Sequence, residues 1–293
     1  MYGSPHVQIV ILSYNQCEDT LRTLDSLSRM TYPNFELIVV DNNSTDLTIK
    51  AVQSKYPNVI LLVQSTNKGF AAGANVGLQR GIETKADFVL IINNDVLVTP
   101  SMLTSLIESV TPDVGIVAPL IYYMDDPKRI WSKGFLKHPL LLEPRGNARG
   151  QIDHGQWITP FNVDYLLGCA LLIRVSLLKE VGLFDERFFF YYEDLDFSLR
   201  IQQKGYRLLT VPQAKMWHKV ASSAPVGSSF RTYHMARSSI IFFRTHAKGF
   251  QRLAVLIFRF GSAVKSSCIF LMGKRLDLLQ NYWKGIWDGW QII

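Results

Sequence analysis

The chain has 293 residues, is 48% hydrophobic and 19% charged, and carries 31 Lys and Arg against 24 Asp and Glu for a formal net charge of +7. That length can bury a full core, and the composition excludes a disordered, collagen-like or disulfide-stapled chain. Cys17, Cys169 and Cys268 lie far apart with no CxxC pair, which excludes a cysteine zinc site and a dithiol motif and points to a reducing compartment. Met1–His6 shows no basic stretch followed by an apolar run, so no secretory leader is expected.

In chain order, the nearly all-apolar Val7–Ser13 predicts a strand covered on both faces, and Glu18–Met30 places Leu21, Leu24 and Leu27 on one side of a helix. Phe35–Val40 predicts a second buried strand, and Ser44, Thr45 and Asp46 offer capping side chains for a helix over Leu47–Lys55. Val59–Val63 (strand), Gly69–Arg80 (helix), Phe88–Ile92 (strand) and Ser101–Val110 (helix) complete four βα units. That alternation predicts a mainly parallel, Rossmann-like sheet flanked by helices, with ligands gathered at the carboxyl ends of its strands. From Pro119 to Pro160 the alternation fails and irregular structure is expected. A second ordered block follows: a strand over Tyr165–Ile173, helices over Ser176–Val181 and Glu193–Lys204, and a strand over Arg207–Val211.

All the excess positive charge belongs to the last 63 residues. From Arg231 onward there are ten basic residues and two acids, a net of +8, leaving 21 basic against 22 acidic, or −1, before it. The division expected is therefore 1–230 as one domain and 231–293 as a basic, amphipathic helical extension. Trp283, Trp287 and Trp290 lie in that extension, and Arg259 and Lys265 interrupt its apolar stretch, so a bilayer-spanning helix is not expected. Bases, tryptophans and apolar runs at helical spacing favour a segment lying on an anionic membrane surface. A helical subdomain packed on the main body, or a homodimer interface, are the alternatives. Nucleic acid is not expected, because the aromatics do not interleave with the bases.

Polar residues cluster where the first four strands end: Ser13, Tyr14 and Asn15; Asp41, Asn42 and Asn43; Asn67, Lys68 and Gly69; Asn93, Asn94 and Asp95. Neither GxGxxG nor GxxxxGK[ST] occurs. Asp41 at a strand tip can take a base or ribose, or cap the following turn. Gly69, Gly73 and Gly77 recur every four residues, which lets a ligand approach one helix face or lets that helix pack tightly on the sheet. Asp95 is placed to hold a divalent ion against a diphosphate. Glu193, Asp194 and Asp196 exceed what capping a helix needs, and the preceding Phe188–Tyr192 run puts one of them against apolar surface, where desolvation makes a better proton acceptor. His218 is either a structural imidazole or a second ligand beside Asp95.

The set Ser13–Asn15, Val39–Asp46, Asn67–Asn75, Asn93–Asp95, Gly168, Phe189–Arg200 and Trp217–His218 closely resembles family 2 glycosyltransferases of the GT-A fold, and within them the bacterial rhamnosyltransferase-like branch. The resemblance spans about Val7 to His218 and leaves the tail outside. It implies an inverting hexosyltransferase that moves rhamnose or another hexose from a dTDP-, UDP- or GDP-linked donor to a saccharide acceptor in cell-surface polysaccharide synthesis; the basic, aromatic tail adds the expectation that the acceptor is lipid-linked and that the protein is cytoplasmic and peripheral on the inner face of the cell membrane. The resemblance also implies Asp194 as general base beside Glu193, Asp41 on the nucleotide base, and Asp95 and His218 as ligands of Mg²⁺ or Mn²⁺. The donor set would include Ser13, Tyr14, Asn15, Asn43, Asn67, Lys68, Gly69, Gly73, Asn75 and Asn94. Asn93 stands where many relatives carry the first acid of a DxD motif, which leaves Asp95 to reach the ion. A nucleotidyltransferase is the nearer rival, but Ser13–Gln16 lacks the glycine- and base-rich loop it needs. A non-catalytic nucleotide-sugar or carbohydrate-binding scaffold is the more distant one.

Overall fold

The structure, a computed structural model, describes residues 3–146, 148–220 and 227–292; the outer ends of the expected division, Met1 and Ile293, lie outside them. The first half alternates as expected: β1 (Val7–Ser13), α1 (Cys17–Ser28), β2 (Phe35–Asp41), α2 (Thr48–Lys55), β3 (Ile60–Val63), α3 (Gly69–Glu83) and β4 (Phe88–Asn93). β4, β1, β2 and β3 lie side by side and parallel. Successive side chains of β1 enter opposite layers, as the pleat requires. Val7, Ile9 and Ile11 join a cluster with Leu24 and Leu27 of α1, while Val10 joins Ala71, Ala74 and Leu78 of α3.

Two glycines of the four-residue repeat in α3 lie against the sheet. A Cβ at Gly73 would collide with Leu12 and Asn42, and one at Gly77 with Val10. Tight helix-on-sheet packing therefore accounts for Gly73 and Gly77, whereas Gly69 faces the main chain of Phe189.

The second half continues with β5 (Val96–Val98), α4 (Met102–Glu108), β6 (Val114–Tyr123), β7 (Ile130–Ser132), β8 (Leu136–Lys137), β9 (Pro144–Arg145), β10 (Phe161–Val163), β11 (Ala170–Arg174), α5 (Val175–Val181), α6 (Glu193–Gln203) and β12 (Arg207–His218). β11 pairs antiparallel with both β4 and β6, and β12 runs parallel to β6. Two expectations are corrected here. Pro119 does not begin an irregular excursion but lies inside β6, a central strand. It has no N–H for the ladder, and beside it the pairing jumps from Val211 to Lys215 in a bulge of β12. The apolar run Tyr165–Ile173 divides, with only Ala170–Arg174 paired as β11, because residues 164–169 leave the sheet to meet α6.

The tail forms α7 (Ser229–His246), α8 (Gly249–Met272) and α9 (Leu276–Gln291). α7 belongs to the main body. Its Ile241, Phe242 and Phe243 are buried with Tyr165, Phe188, Tyr192 and Leu199, so position 230 falls within its first turn. α9 packs on α7 where Gly285 and Gly289, one turn apart, face the main chain at Tyr233 and Arg237. α8 has the length and apolarity to cross a bilayer, and only 11% of that apolar window is buried within the protein. At its midpoint Arg259 donates to Ser239 Oγ (2.8 Å) and Glu143 (3.5 Å) and lies over the Phe243 ring.

Candidate active site

Strand register builds one wall of a large cleft. β5 pairs antiparallel with the end of β12, setting Val96 opposite His218. This brings Asp95, the residue before β5, beside the imidazole: Asp95 Oδ1 and His218 Nε2 are 3.1 Å apart, and both residues are buried. Asn93 Nδ2 lies 3.4 Å from the same nitrogen, and the Trp131 ring meets the imidazole edge-on. His218 Nδ1 has no partner among the described residues. A carboxylate oxygen and an imidazole nitrogen at this separation suit a divalent ion that takes its remaining ligands from phosphate oxygens. Among the described residues no group of three His, Cys, Asp or Glu side chains could hold a metal, so a cation here would have two protein ligands. The residues fit Mn²⁺ or Mg²⁺ on those terms.

The start of α6 forms the second wall. Tyr191 and Tyr192, immediately before the helix, both adopt left-handed φ (68° and 70°), a conformation costing roughly 1–3 kcal/mol at each non-glycine residue. Phe189 O accepts from Phe70 N (2.8 Å) and Phe190 O from Ser238 Oγ (2.9 Å), which holds the strained turn in place. Gly69, at φ 90°, fits beneath it where any Cβ would strike Phe189 O. The turn delivers Glu193 and Asp194 to the cleft. Asp194 Oδ2 accepts from Gly168 N (3.0 Å) and Oδ1 from Leu195 N (2.8 Å). Burial pushes its carboxyl above the ordinary range, and those two N–H groups act against the rise. Glu193 is pushed up further, by burial and then by the charge of Asp194, and its Oε2 has no partner among the described residues. Of the two, Glu193 is therefore held the more strongly in its protonated form, and Asp194 is the better placed to act as the base.

The cavity of about 810 Å³ is lined by Asp95, His218, Glu193 and Asp194 together. Of the donor residues expected from sequence, Tyr14, Asn67, Gly69 and Asn94 also line it. Others lie outside that lining and make contacts within the protein. Asp41 is fully buried, and its two oxygens accept from Ser44 N (2.7 Å) and Ser44 Oγ (2.6 Å), the turn-capping alternative. Ser13 Oγ shares a buried hydrogen bond with Thr20 (3.1 Å). Asn15, itself left-handed at φ 56°, accepts from Thr45 N (2.9 Å) and so ties two strand-tip loops together. Asn75 is anchored to Phe184 by two bonds of 2.9 Å, reaches Glu186 and is not part of the cleft lining. Gly73 is enclosed, whereas Asn43 and Lys68 are exposed outside the lining.

Asn42, Trp131 and Arg231 are among the polar and aromatic lining residues that sequence reasoning did not assign to the site. Asn42 lines the cleft and donates to Gly69 O (3.0 Å). Trp131 comes from the stretch expected to be irregular, and Arg231 from the tail set apart as an extension. Asn42 lay within a quoted strand-tip cluster, but the other two are brought in by long-range packing and left no local signal.

Residues 8–182 match the family described as Glycosyl transferase family 2. The chain is 29% identical over 270 residues to an N-acetylglucosaminyl-diphospho-decaprenol L-rhamnosyltransferase of Mycobacterium tuberculosis, covering 83% of this chain and 86% of that protein. It is 22% identical to the dTDP-rhamnosyl transferase RfbF of Shigella flexneri, covering 82% and 80%. Among solved structures, the mannosyltransferase PcManGT of Pyrobaculum calidifontis, in complex with GDP-Man and Mn²⁺, superposes with a TM-score of 0.61 at 18% identity over 98% of this chain and 85% of that one. S. aureus TarS 1–349 in complex with UDP-GlcNAc gives 0.60 at 21% identity over 98% and 81%. These likenesses show the GT-A fold.

Proposed function

The chain belongs to glycosyl transferase family 2, and from that premise we propose that it transfers rhamnose or another hexose, with inversion, from a nucleotide-sugar donor to a saccharide carried on a lipid diphosphate. The observation that carries this reading is that Asp95, His218, Glu193 and Asp194, remote in sequence, line one cleft. Asp194, fixed by two main-chain N–H groups, takes the proton from the acceptor hydroxyl as its oxygen attacks the anomeric carbon. The bond from that carbon to the donor's phosphate oxygen breaks on the opposite face, and its electrons leave with the nucleotide diphosphate. Asp95 and His218 would hold Mg²⁺ or Mn²⁺, which when bound supplies positive charge for the departing diphosphate. Tyr14, Asn67 and Asn94 line the donor side, with Asp41 either holding its loop or reaching the base. Support for the lipid-linked acceptor and for a rhamnosyl donor comes from the substrates named for the mycobacterial and Shigella relatives.

The same reading assigns the protein to the cytoplasmic face of the membrane as a peripheral protein. What supports this is the net charge of +8 after residue 230, together with exposed Phe250, Ile257, Phe260 and Met272 on α8 and exposed Trp283, Trp287 and Trp290 on α9. Arg259, tied to Ser239 and Glu143, favours a helix lying along the body over one crossing a bilayer.

The test is transfer from a panel of dTDP-, UDP- and GDP-sugars to a polyprenyl-diphosphate saccharide, with wild type and Asp194→Asn, with and without chelator. Transfer lost in the variant while donor binding persists, and lost in chelator, is the expected result. Full turnover by Asp194→Asn removes the base, full turnover in chelator removes the metal, and no transfer by wild type from any donor removes the reading.

A further inference from the structure

Besides Glu193 and Asp194, the cleft lining has two unlike arms. One is the polar strand-tip rim around Asp95 and His218. The other is aromatic, formed where the turn before α6 meets the first turns of α7: Phe189, Phe190, Tyr191, Phe230 and Met235, together with Arg231. The first arm holds what a nucleotide sugar needs. The second has little for a ribose or a base edge, and its surface is mainly apolar.

Arg231 is the one guanidinium on this arm. It lies over the Tyr191 ring at 5.4 Å and is partly buried, and no carboxylate pairs with it among the described residues. Other arginines nearby are engaged: Arg187 with Asp185, Arg200 with Asp196 and Arg259 with Glu143, while Arg237 and Arg244 of the same helix donate to the main-chain oxygens of Arg187 and Trp290. A half-desolvated cation without a counter-charge, on the wall of a cleft, is a seat for an anion. The surrounding rings are held firmly. Phe189 stacks on His234 at 4.8 Å, and Phe230 lies 4.4 Å from the same imidazole. Burial and then Arg237 lower the His234 pKa to about 4, so the ring is neutral at pH 7. The arm therefore presents one positive charge bordered by apolar rings, which complements a phosphate joined to a hydrocarbon chain and fits a free sugar poorly.

We infer that this arm is the acceptor subsite, with Arg231 gripping the diphosphate of a polyprenyl-diphosphate saccharide and Phe190, Tyr191 and Phe230 covering the first isoprene units. The inference rests on the lipid-linked acceptor proposed above and adds the residues that recognise the lipid end. It also gives α7 a role in binding, although α7 lies beyond the family match.

The experiment compares two acceptors carrying the same saccharide, one on a polyprenyl diphosphate and one as a simple alkyl glycoside, in the full chain with Arg231→Gln, Arg231→Lys and Phe230→Ala. The ratio of kcat/KM for the diphosphate acceptor to that for the glycoside should fall at least tenfold in Arg231→Gln, recover in part with Lys, and fall in Phe230→Ala. The change should appear in the acceptor KM and exceed any change in the donor KM. An equal loss for both acceptors, or a larger shift in donor KM, overturns the assignment. A separate arm measures farnesyl diphosphate binding to each protein. Tenfold weaker binding to Arg231→Gln than to wild type supports the subsite, and equal binding overturns it. So does equal competition by inorganic diphosphate and farnesyl diphosphate, which would show that the hydrocarbon is not recognised. If wild type transfers well to the glycoside but no better to the diphosphate acceptor, this inference fails and the transferase reading stands.

Discussion

The two oxygens of Asp194 accept from the main-chain N–H groups of Gly168 and Leu195, and an amide in its place keeps only one of those bonds, because its nitrogen donates and cannot accept. Asp194→Asn should therefore lower kcat by roughly 10²–10⁴-fold, the range for loss of a positioned base, with donor affinity close to wild type and a stability loss of about 1–3 kcal/mol in denaturant unfolding from the main-chain N–H left without a partner. Because burial raises the Asp194 pKa, and the base acts only when ionised, kcat should climb with pH through a midpoint above the ordinary aspartate range. A flat pH–rate profile would count against this assignment. Glu193 makes a complementary prediction about stability. Its folded-state pKa lies well above the ordinary value of 4.5, so the fold prefers the neutral carboxyl. The stability this confers is fully present below that value and is lost as pH rises through the folded-state pKa. Glu193→Gln should therefore be more stable than wild type at alkaline pH and nearly equal at pH 4, as chemical denaturation at the two pH values would reveal. At Gly69 a Cβ would collide with Phe189 O at a φ of 90°, so Gly69→Ala should both destabilise the protein and disturb the turn that delivers the acids.

Individual elements differ in how openly the sequence announces them. The four βα units were legible because buried strands and amphipathic helices carry their periods locally, and the strand-tip clusters followed from that alternation. β6 was not, since Pro119 argues for a break when only its own residues are considered. The partner strand accommodates that proline with a bulge, and nothing near Pro119 in sequence reports this. The carboxylates of α6 were legible from their excess over capping needs and from the aromatic run before them. The meeting of Asp95 with His218 depends on pairing between β5 and β12, which the family resemblance implied and local pattern could not supply. α6 is also clamped from behind: Asp196 accepts from Arg200 (2.8 Å) and faces His246 of α7 (2.7 Å) in a buried cluster. His246→Phe leaves part of that cluster unsatisfied and should cost about 1–3 kcal/mol in denaturant unfolding. A change under 0.5 kcal/mol would mean that α7 does not brace the helix bearing the acids.

At the scale of the whole molecule, charge and apolar surface are segregated. Residues 1–230 are nearly neutral, while α8 and α9 expose phenylalanines, isoleucines and tryptophans in a segment, 249–293, that has six basic residues and two acids, a net of +4. Each apolar side chain inserted into a lipid interface contributes about 1.5–3 kcal/mol, and each basic residue near an anionic surface about 1 kcal/mol. The double change Ile257→Asp with Phe260→Asp, at positions 66% and 72% exposed, should cut binding to anionic vesicles more than tenfold and leave the melting temperature unchanged. Salt should weaken wild-type binding, because such attraction is screened beyond about 8 Å at physiological ionic strength. Vesicle binding that survives both changes would redirect attention to a homodimer through this face, which sedimentation equilibrium would detect.

The bulge in β12 leaves Pro212, Gln213 and Ala214 without partners between two consecutive rungs. Side chains alternate faces along a strand, so losing or gaining one residue in this short slack would invert everything downstream of it and swing the imidazole at 218 away from the acid at 95. Three residues outside the cleft lining thus act as a spacer for the Asp95–His218 pair, and the length of this segment should tolerate change less than the identity of its side chains.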